Sequence, residues 1–581
     1  MAKKVNISKE QVKKNIENLQ AFMSKENLDY FYISSFDNFL NEYVPMSDCH
    51  RFYVTGFSGS VAETLVPKSG KVKLYVDGRY HEQADLEVDL NIVEVVKVPA
   101  NTSLSSAMIS DVESISPRTL GIESQRTSLN TFKKLSSLSK VTSYLNELNE
   151  VIDFAITPKF SPIKFIDKKY RGSDTSEKLK KILGDSDDAY FVTSIDSLSW
   201  VTNCRGYHLP NLSSFLGTAL VTKDKAFVFV DKSIDLDDSV SQAKSVEFIK
   251  FSPEEFEKTI DYISLNNKID NVFIDPSMTN AALYQSLINV FGDAKVVEKE
   301  GGLVNYHSVK EDAEIVEMKR GFNLADTAIY NTINWVKDSI KAGKEITELD
   351  LYNETTRKYE EQGSVEQSFN TIAGVGPNGS IMHYGDPKAD IKIKADDMIL
   401  LDSGGYFDGG FATDTTRTFM ASDAKPTDKH KKIYTLVLKG MLQCQHAIFP
   451  EGTKGMVLDG FARKPIFDEG MNYAHGTGHG VGIHVHEGGV RIGASTLPVK
   501  ERQIVSIEPG IYLPGFGGVR LENIALVVKD ENNPGFLKFE PIVYIGFEPS
   551  LINEDMLTAQ EKNWLETYEA KCSELGRSFR N

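Results

Sequence analysis

Residues 398–420 read MILLDSGGYFDGGFATDTTRTFM, which is two strand-like segments joined by a glycine-rich turn. The first segment is apolar up to Asp402. In the second segment, Asp414, Thr416 and Thr418 recur every second residue and therefore share one face of a strand. A hairpin of the two segments would bring Asp402 and Asp414 close together. Two neighbouring carboxylates of this kind indicate a candidate site.

Two more carboxylates follow in apolar surroundings. The segments IVSIEPGIYL (504–513) and GVRLENIALVV (518–528) each place one glutamate, Glu508 and Glu522, in an otherwise apolar strand. Burial of a lone carboxylate is costly. Either glutamate alone could be partly exposed or paired with an arginine, and Arg520 is a candidate partner for Glu522. Four such carboxylates beside a histidine cluster are better explained by a shared cation.

The histidine cluster lies in the glycine-rich segment HGTGHGVGIHVHEGG. Four of the eleven histidines of the chain lie in this segment, within a span of twelve residues: His475, His479, His484 and His486. A fifth, His383, follows the glycine-rich TIAGVGPNGS. Neutral imidazoles are common metal ligands and proton carriers, although clustering alone leaves a metal-free role open. The isolated His430 and His446 are predicted to be structural.

Four carboxylates and one imidazole form a mainly oxygen donor set. Such a set favours a pair of hard to borderline divalent ions, most readily Mn²⁺, with Co²⁺ or Zn²⁺ as alternatives. A water held between two metal ions becomes a hydroxide near neutral pH. The remaining histidines could then polarise a carbonyl or carry protons.

Two other motif matches are rejected. Residues 374–379, GVGPNG, fit GxGxxG, but Pro387 and an alternating pattern follow, so no helix opens there to bind a pyrophosphate. HGTGH lacks the glutamate of HExxH, and its glycines argue against a helix. Neither a dinucleotide site nor a zincin site is expected.

Composition excludes further classes. The 581 residues contain 65 Lys and Arg against 82 Asp and Glu, a net charge of −17, with no basic block. Binding to nucleic acid or to an anionic membrane is therefore disfavoured. The four cysteines are far apart in sequence and are predicted to be thiols in a reducing compartment. No apolar stretch reaches the 18 residues of a membrane span, and we predict a soluble, cytoplasmic protein.

The first half of the chain alternates strands and helices, which predicts a mixed α/β fold. A second unit begins near residue 165 and resembles the first, since LVPKSGKVKLYVD (65–77) is similar to LVTKDKAFVFVD (220–231). Duplication of one domain and chance likeness of two β-hairpins both remain open. Glycine density rises after Gly374, where functional residues are expected.

Together these motifs resemble the pita-bread metallopeptidases, and within them the aminopeptidase P (Xaa-Pro aminopeptidase) family in its long, three-domain form. DCHRFYVTGFSGS and YVDGRYHEQA are similar to the first domain of that family, and SIDSLSWVTNCRG to the second. The motifs of the third domain follow in the family's order: TIAGVGPNGSIMHY, LLDSGG, TDTTRTF, HGTGHGVG, HEGG, SIEPGIY and VRLEN. The resemblance implies an α/β (α+β) chain with two similar creatinase-like domains, 1–162 and 163–308. A pita-bread catalytic domain with a C-terminal helical extension, 309–581, would follow.

The resemblance also implies roles for individual residues. The implied metal ligands are Asp402, Asp414, His479, Glu508 and Glu522. The implied catalytic residues are His383, His475, His486 and Glu508, with Glu508 handling a proton and His383 and His486 binding substrate. Arg520 would contact the metal ligands rather than the metal and would hold them in place. Arg79 of DGRY would reach the substrate, or would instead pair with Asp77 or Glu82 on its own surface.

The implied activity is hydrolysis of the N-terminal Xaa-Pro bond of peptides by a metal-bridging hydroxide, in a homodimer with two divalent ions per subunit. A prolidase, which cleaves Xaa-Pro dipeptides only, is the alternative, and the prefix of over 300 residues disfavours it. A non-catalytic peptide-binding relative is a remote alternative, because the ligand set is complete. Departures from the family pattern are one extra glycine in FDGGFATD, a short segment before HEGG, and HEGG where HEGP is common.

Overall fold

The computed structural model of the chain describes residues 7–99, 102–152, 160–252 and 255–580. It divides into two compact units. The amino-terminal unit comprises Met1–Ile166, Ser173–Pro210 and Ser214–Leu303, and the carboxy-terminal unit comprises Asp167–Gly172, Asn211–Ser213 and Val304–Asn581.

The amino-terminal unit begins with a mixed sheet flanked by helices. Its strands are β1 (Tyr30–Ile33), β2 (Glu63–Pro67), β3 (Val72–Val76), β4 (Val93–Lys97), β5 (Thr119–Glu123) and β6 (Lys140–Tyr144). Its helices are α1 (Lys9–Lys25), α2 (His50–Thr55), α3 (His81–Glu87), α4 (Leu104–Ile115), α5 (Leu129–Leu138) and α6 (Leu148–Val151). The strand order is β4-β3-β2-β1-β5-β6, with β2 antiparallel to both of its neighbours. Helix α1 forms because Ser8 caps it and because the apolar stripe of Val12, Ile16, Leu19 and Met23 is buried.

A second sheet in the same unit repeats this arrangement. Its region contains β7 (Lys164–Phe165), β8 (Ala189–Val192), β9 (Cys204–Arg205), β10 (Thr218–Val221), β11 (Ala226–Asp231), β12 (Val246–Phe251), β13 (Val272–Ile274) and β14 (Val296–Glu298). The helices here are α7 (Thr175–Leu183), α8 (Ile195–Thr202), α9 (Phe256–Asn266) and α10 (Ala281–Phe291). The order β12-β11-β10-β8-β13-β14 has the same sequence of parallel and antiparallel pairs as the first sheet. The predicted similarity of the two regions is therefore confirmed, and the two hairpins noted in the sequence, β2–β3 and β10–β11, occupy equivalent places.

The carboxy-terminal unit combines long helices with several antiparallel sheets. The helices are α11 (Val304–His307), α12 (Asp312–Lys341), α13 (Glu348–Glu361), α14 (Asp428–Gln445), α15 (Gly455–Phe467) and α16 (Ala559–Glu574). The strands are β15 (Glu366–Gln367), β16 (Ile372–Val375), β17 (Met398–Ser403), β18 (Gly405–Tyr406), β19 (Thr415–Met420), β20 (Ile448–Pro450), β21 (Gly478–Gly480), β22 (Glu487–Ile492), β23 (Ile504–Ile507), β24 (Gly510–Leu513), β25 (Gly517–Arg520), β26 (Asn523–Lys529) and β27 (Phe536–Pro541). One sheet has the order β16-β17-β19 and a larger one the order β20-β27-β26-β23-β21-β22. The core of this unit includes apolar residues of α14, α15, α16 and the larger sheet.

The predicted hairpin of residues 398–420 is present as β17 and β19. These strands are antiparallel, and Asp402 lies opposite Thr416, two residues beyond Asp414. The GxGxxG match at 374–379 covers the end of β16 and a short 3-10 turn, Gly376–Ser380. No helix follows it, as predicted.

The expected strand positions of the two glutamates are wrong in one respect. Each lies not within a strand but in a two-residue gap, Glu508 between β23 and β24 and Glu522 between β25 and β26. The four strands form one long hairpin, because β23 pairs with β26 and β24 pairs with β25. Both glutamates therefore lie where this hairpin passes from the larger sheet to its own two-stranded tip. Pro509 lacks an N–H group and favours the break in the first arm.

Two further predictions concern the cysteines and membrane-spanning helices. The four cysteines are buried thiols. Among the residues with described structure, no helix is both long and apolar enough to span a bilayer. The domain limits at 162 and 308 remain predictions.

Candidate metal centre

The five predicted ligands lie in the carboxy-terminal unit on separate strands or strand ends. Asp402 is in β17, Asp414 immediately precedes β19, and His479 is the middle residue of β21. Glu508 and Glu522 occupy the two gaps of the long hairpin. β17 pairs with β19 in one sheet and β21 with β23 in the other, and the backbone N–H of Glu522 joins the two by donating to the carbonyl of Thr416 at 3.2 Å.

Glycines on both sides of His479 permit this approach. A Cβ on Gly478 would lie 1.8 Å from the carbonyl oxygen of Ser506, and one on Gly480 would lie 2.6 Å from that of Glu487. Any larger residue would push β21 away from its neighbours. The backbone N–H of His479 donates to the Ser506 hydroxyl at 3.0 Å, which further fixes the imidazole.

The distances within the cluster are short. His479 Nε2 lies 3.1 Å from Glu508 Oε1 and 3.5 Å from Asp414 Oδ2. One potential ligand atom from each of Asp414, His479 and Glu522 lies within 4.8 Å of the others. This spacing suits a cation bound between them.

Two carboxylate oxygens support the same conclusion. Asp402 Oδ1 and Glu522 Oε1 are buried and accept no hydrogen bond from the residues that the structure describes. A buried acceptor without a donor costs free energy. A divalent cation would satisfy both oxygens, so the residues present fit a metal site.

The electrostatics of the cluster favour a bound cation. Burial raises the pKa of Asp414 well above its usual range, and the charges of Glu522, Asp402 and Glu508 raise it further. Burial likewise raises the pKa of Glu522, with Glu508 and Asp402 adding to the effect. Arg520 opposes both shifts but does not cancel them. A bound cation would remove this repulsion.

Glu508 behaves differently. Burial acts to raise its pKa, but the hydrogen bond and the charge of a protonated His479 outweigh burial, and the charge of Arg520 adds to them. The pKa of Glu508 falls to about 2 as a result. Glu508 is therefore a carboxylate at neutral pH.

Arg520 lies directly behind the ligands and is 3% exposed. Its Nη2 donates to Asp402 Oδ2 at 2.6 Å, and its Nε donates to the Thr416 hydroxyl at 3.1 Å. That hydroxyl donates in turn to Glu522 Oε2 at 3.0 Å. The prediction that Arg520 could pair directly with Glu522 is therefore wrong. Arg520 pairs with Asp402 and reaches Glu522 through Thr416.

Among the predicted catalytic histidines, His486 lies beside this cluster. The ring of His486 lies 4.5 Å from that of His479, edge to face. His383 follows Met382, whose carbonyl accepts a hydrogen bond of 3.3 Å from Arg520 Nη1. The ring of His484 is 6.1 Å from that of His486.

His475 is held by two hydrogen bonds. Its Nδ1 lies 2.7 Å from the carbonyl oxygen of Gly476, and its Nε2 lies 2.8 Å from the hydroxyl of Tyr512. Because a carbonyl only accepts, the proton is assigned to Nδ1, and Nε2 accepts from Tyr512. Burial lowers the pKa of His475 to about 4, against the attraction of Glu508. The imidazole is therefore neutral at pH 7.

Tyr512 and Thr416 are site residues whose roles the sequence did not reveal. Tyr512 accepts from Arg520 Nη1 at 2.8 Å and so connects Arg520 to His475. Thr416 had a signal, since it shares a strand face with Asp414. No signal in the sequence pointed to Tyr512, because no pattern relates it to His475, which is 37 residues away.

The remaining predicted residues lie outside the cluster. His446 stacks on Trp564 at 4.5 Å, and His430 contacts Phe516 at 4.7 Å. Arg79 belongs to the amino-terminal unit, where it makes two hydrogen bonds, of 2.9 and 2.8 Å, to Asp77. Pairing with Asp77 is one of the two local pairings that the sequence analysis named as the alternative to a substrate role. A role for Arg79 toward the substrate remains a prediction.

Comparison with known protein families covers most of the chain. Residues 316–529 match the model of metallopeptidase family M24. Residues 15–153 and 157–314 each match a Creatinase/Prolidase N-terminal domain, and residues 535–578 match the C-terminal region of peptidase_M24.

Individual relatives are similar over nearly their whole length. A protein of Pyricularia oryzae named "Probable Xaa-Pro aminopeptidase P" is 31% identical, covering 95% of this chain and 93% of that protein. The protein of the same name in Sordaria macrospora is 32% identical, covering 94% and 93%. The crystal structure of an X-prolyl aminopeptidase from Caenorhabditis elegans, described as a cytosolic enzyme with a di-nuclear active site, aligns with a TM-score of 0.88. It is 25% identical, and the alignment covers 97% of this chain and 96% of that one.

Proposed function

The chain belongs to metallopeptidase family M24, and we propose that it is a metal-dependent aminopeptidase that releases the first residue of peptides whose second residue is proline. One observation carries this proposal: Asp402, Asp414, His479, Glu508 and Glu522 converge on one buried cluster. Within it, Asp402 Oδ1 and Glu522 Oε1 lack donors. The full-length similarity to proteins named Xaa-Pro aminopeptidase P supports the choice of substrate. We also propose the domain limits 1–162, 163–308 and 309–581, which the ranges of the family matches support.

The proposed cofactor is a pair of divalent ions, Mn²⁺ in the first place, with Co²⁺ or Zn²⁺ as alternatives. The five residues of the cluster would hold them, since the donor set is one imidazole and four carboxylates. When bound, the ions would supply the Lewis acidity that activates water and polarises a peptide carbonyl. The description of the Caenorhabditis elegans enzyme as di-nuclear supports two ions rather than one.

The residues around the ions have separate roles in this proposal. Glu508 would be ionised at neutral pH, and we assign it the transfer of a proton from the attacking water to the leaving amine. Arg520 fixes the orientation of Asp402, which keeps Oδ1 available to a metal. His383 and His486 would bind the substrate and stabilise charge on its carbonyl. His475 is catalytic in this proposal as a neutral imidazole oriented by Tyr512.

The preference for proline follows from its chemistry. The bond before proline is a tertiary amide with no N–H and a fixed φ, so a general peptidase that relies on that N–H binds it poorly. The names of the relatives carry this specificity. We propose a cytoplasmic location, which the description of the worm enzyme as cytosolic supports.

We further propose a homodimer, which exposed apolar residues of α15 support. Met456, Val457, Phe461 and Phe467 of this helix are 43–53% exposed. Exposed apolar clusters on a folded protein commonly mark contact surfaces. We expect Phe461→Glu to yield monomers in light scattering. The matched control Leu265→Glu, on the exposed side of α9, should leave the dimer intact.

The experiment that tests the function compares Xaa-Pro-Yaa tripeptides with Xaa-Pro dipeptides in the presence of Mn²⁺. Release of the first residue from the tripeptides supports an aminopeptidase. Hydrolysis of the dipeptides alone would instead support the prolidase alternative. A tripeptide with alanine in the second position is the specificity control and should be cleaved far more slowly.

A further inference from the structure

Arg417 is buried on the side of β19 opposite to the metal ligands. It lies between Thr416 and Thr418, so the two-residue period of the strand turns its side chain away from theirs. The residue is 1% exposed. A guanidinium in such a position must find acceptors within the protein.

The acceptors of Arg417 Nη1 lie on segments that carry proposed metal ligands. Nη1 donates to the carbonyl oxygen of Thr416 at 2.9 Å and to that of Glu522 at 2.5 Å. The backbone N–H of Glu522 donates to the same Thr416 carbonyl at 3.2 Å. Arg417 therefore links the strand that begins beside Asp414 to the peptide group of Glu522 itself.

The other half of the guanidinium is held by the C-terminal part of the chain. Nη2 donates to Asn523 Oδ1 at 2.8 Å, to the carbonyl oxygen of Ile545 at 2.8 Å and to the hydroxyl of Tyr568 at 2.9 Å. Tyr568 lies on α16 and is 5% exposed. All the acceptors of Arg417 are neutral, so geometry rather than an ion pair fixes its position.

Helix α16 is anchored independently of the metal cluster. Thr558 is the N-cap residue of α16 and forms a capping box with Glu561. Glu561 also accepts hydrogen bonds from Lys439 and Gln443 of α14. The ring of Tyr568 stacks on Phe547 at 5.1 Å. The position of the Tyr568 hydroxyl is thus set by the core of the unit, and that hydroxyl in turn sets the position of Arg417.

We propose that Arg417 and Tyr568 are positioning residues for the metal centre, and that α16 holds the carboxylates of Glu522 and Asp414 at their binding distance through them. The inference rests on the proposed metal site. It assigns a function to α16, whose Glu561 and Tyr568 side chains make no hydrogen bond to the proposed ligands. Partners behind metal ligands typically change metal affinity about 10-fold to 100-fold when they are removed.

The test is Mn²⁺ affinity, measured by calorimetric titration of the full chain after treatment with a chelator. Tyr568→Phe removes one oxygen and keeps the ring, and it should weaken Mn²⁺ binding about 10-fold. Arg417→Lys keeps the charge but loses the forked geometry, so it should weaken binding further. The matched control is Tyr434→Phe, because that buried hydroxyl accepts from the backbone of Glu548 at 2.9 Å and makes no hydrogen bond to Arg417.

Differential scanning calorimetry of the metal-free variants separates positioning from general loss of structure. We expect Tyr568→Phe and Tyr434→Phe to lower Tm by similar amounts, while only the former weakens Mn²⁺ binding. Equal Mn²⁺ affinity in Tyr568→Phe and the unsubstituted chain would overturn the inference, as would equal weakening in the control. Should Tyr568→Phe not fold, unchanged affinity in Arg417→Lys would overturn it. An unsubstituted chain that binds no Mn²⁺ would overturn the metal centre itself, and this inference with it.

Discussion

Arg520 donates a hydrogen bond of 2.6 Å from Nη2 to Oδ2 of Asp402, a residue 118 positions earlier in the chain. The other oxygen of that carboxylate, Oδ1, has no donor among the described residues. Arg520 thus engages one oxygen of Asp402 and leaves the other for the proposed metal ion. Its remaining donors reach Thr416 and Tyr512, so one guanidinium orients three side chains of the site.

The first prediction concerns this guanidinium. Arg520→Lys keeps the charge but cannot serve Asp402, Thr416 and Tyr512 together. We expect kcat/KM to fall about 10-fold to 100-fold and the metal content after dialysis to decrease. Arg502→Lys is the matched control, because Arg502 is a partly exposed residue that pairs with Asp312. Wild-type kinetics in Arg520→Lys would remove Arg520 from the site.

The second prediction separates a metal ligand from a catalytic histidine. His479→Ala should lose bound metal, whereas His486→Ala should retain it and lose about 10²-fold to 10⁴-fold in kcat, as expected for a lost polarising or acid–base group. Metal content by mass spectrometry and kcat at saturating Mn²⁺ give both readouts. Loss of metal from His486→Ala would place His486 among the ligands instead.

The third prediction concerns Arg79 of the amino-terminal unit. If its guanidinium binds the substrate, Arg79→Ala should lower kcat/KM for tripeptides and longer peptides without changing metal content or Tm. Asp77→Asn is an informative companion, since it removes the local partner and keeps the arginine. The same kcat/KM at every peptide length in Arg79→Ala would limit the residue to its pairing with Asp77.

The fourth prediction concerns a buried charge cluster next to His486. Glu487 is 3% exposed, lies 3.0 Å from His307 Nδ1 through Oε1, and accepts from Lys310, which is 2% exposed. Burial acts to raise the pKa of Glu487, but Lys310 and His307 outweigh it and lower the pKa below its usual value of 4.5. Removing one partner of such a buried pair costs about 3–5 kcal/mol.

The sign of the pH dependence follows from that lowered pKa. The stabilising contribution of Glu487 is complete above pH 4.5 and is lost as the pH falls through the lowered value. Glu487→Gln should therefore lower Tm strongly at pH 7, and the difference from the parent chain should shrink in acid. The exposed Glu540, paired with Lys319, gives a control in Glu540→Gln with almost no change. A Tm difference that is constant from neutral to acid pH would show that the charge of Glu487 does not matter.

The sequence predicted the parts of the site that depend on local pattern. Alternation in residues 414–418 placed Asp414 and Thr416 on one face, and the hairpin with Asp402 followed from two apolar segments around glycines. Local pattern failed where the chain changes sheets, since the apolar run on both sides of Glu508 looks like one strand. The crossing into the two-stranded tip depends on pairing with β25, which no local window contains.

Long-range contacts were beyond the sequence for the same reason. Glu522 is two residues from Arg520 and was the natural partner by proximity, yet Asp402 is the residue that the folded strands bring to the guanidinium. The role of Arg417 was equally hidden. In sequence it is one arginine in TDTTRTF, and only the packing of α16 shows that Tyr568 holds it.

The most direct test of the central claim is titration of Mn²⁺ into the chelator-treated chain while release of the first residue from an Xaa-Pro-Yaa peptide is measured. We predict no hydrolysis without metal, then activity that rises and levels off at two equivalents of Mn²⁺ per chain. Asp402→Asn, titrated in parallel, should stay inactive throughout. Full hydrolysis by the metal-free chain, or none at any Mn²⁺ concentration, would contradict the account.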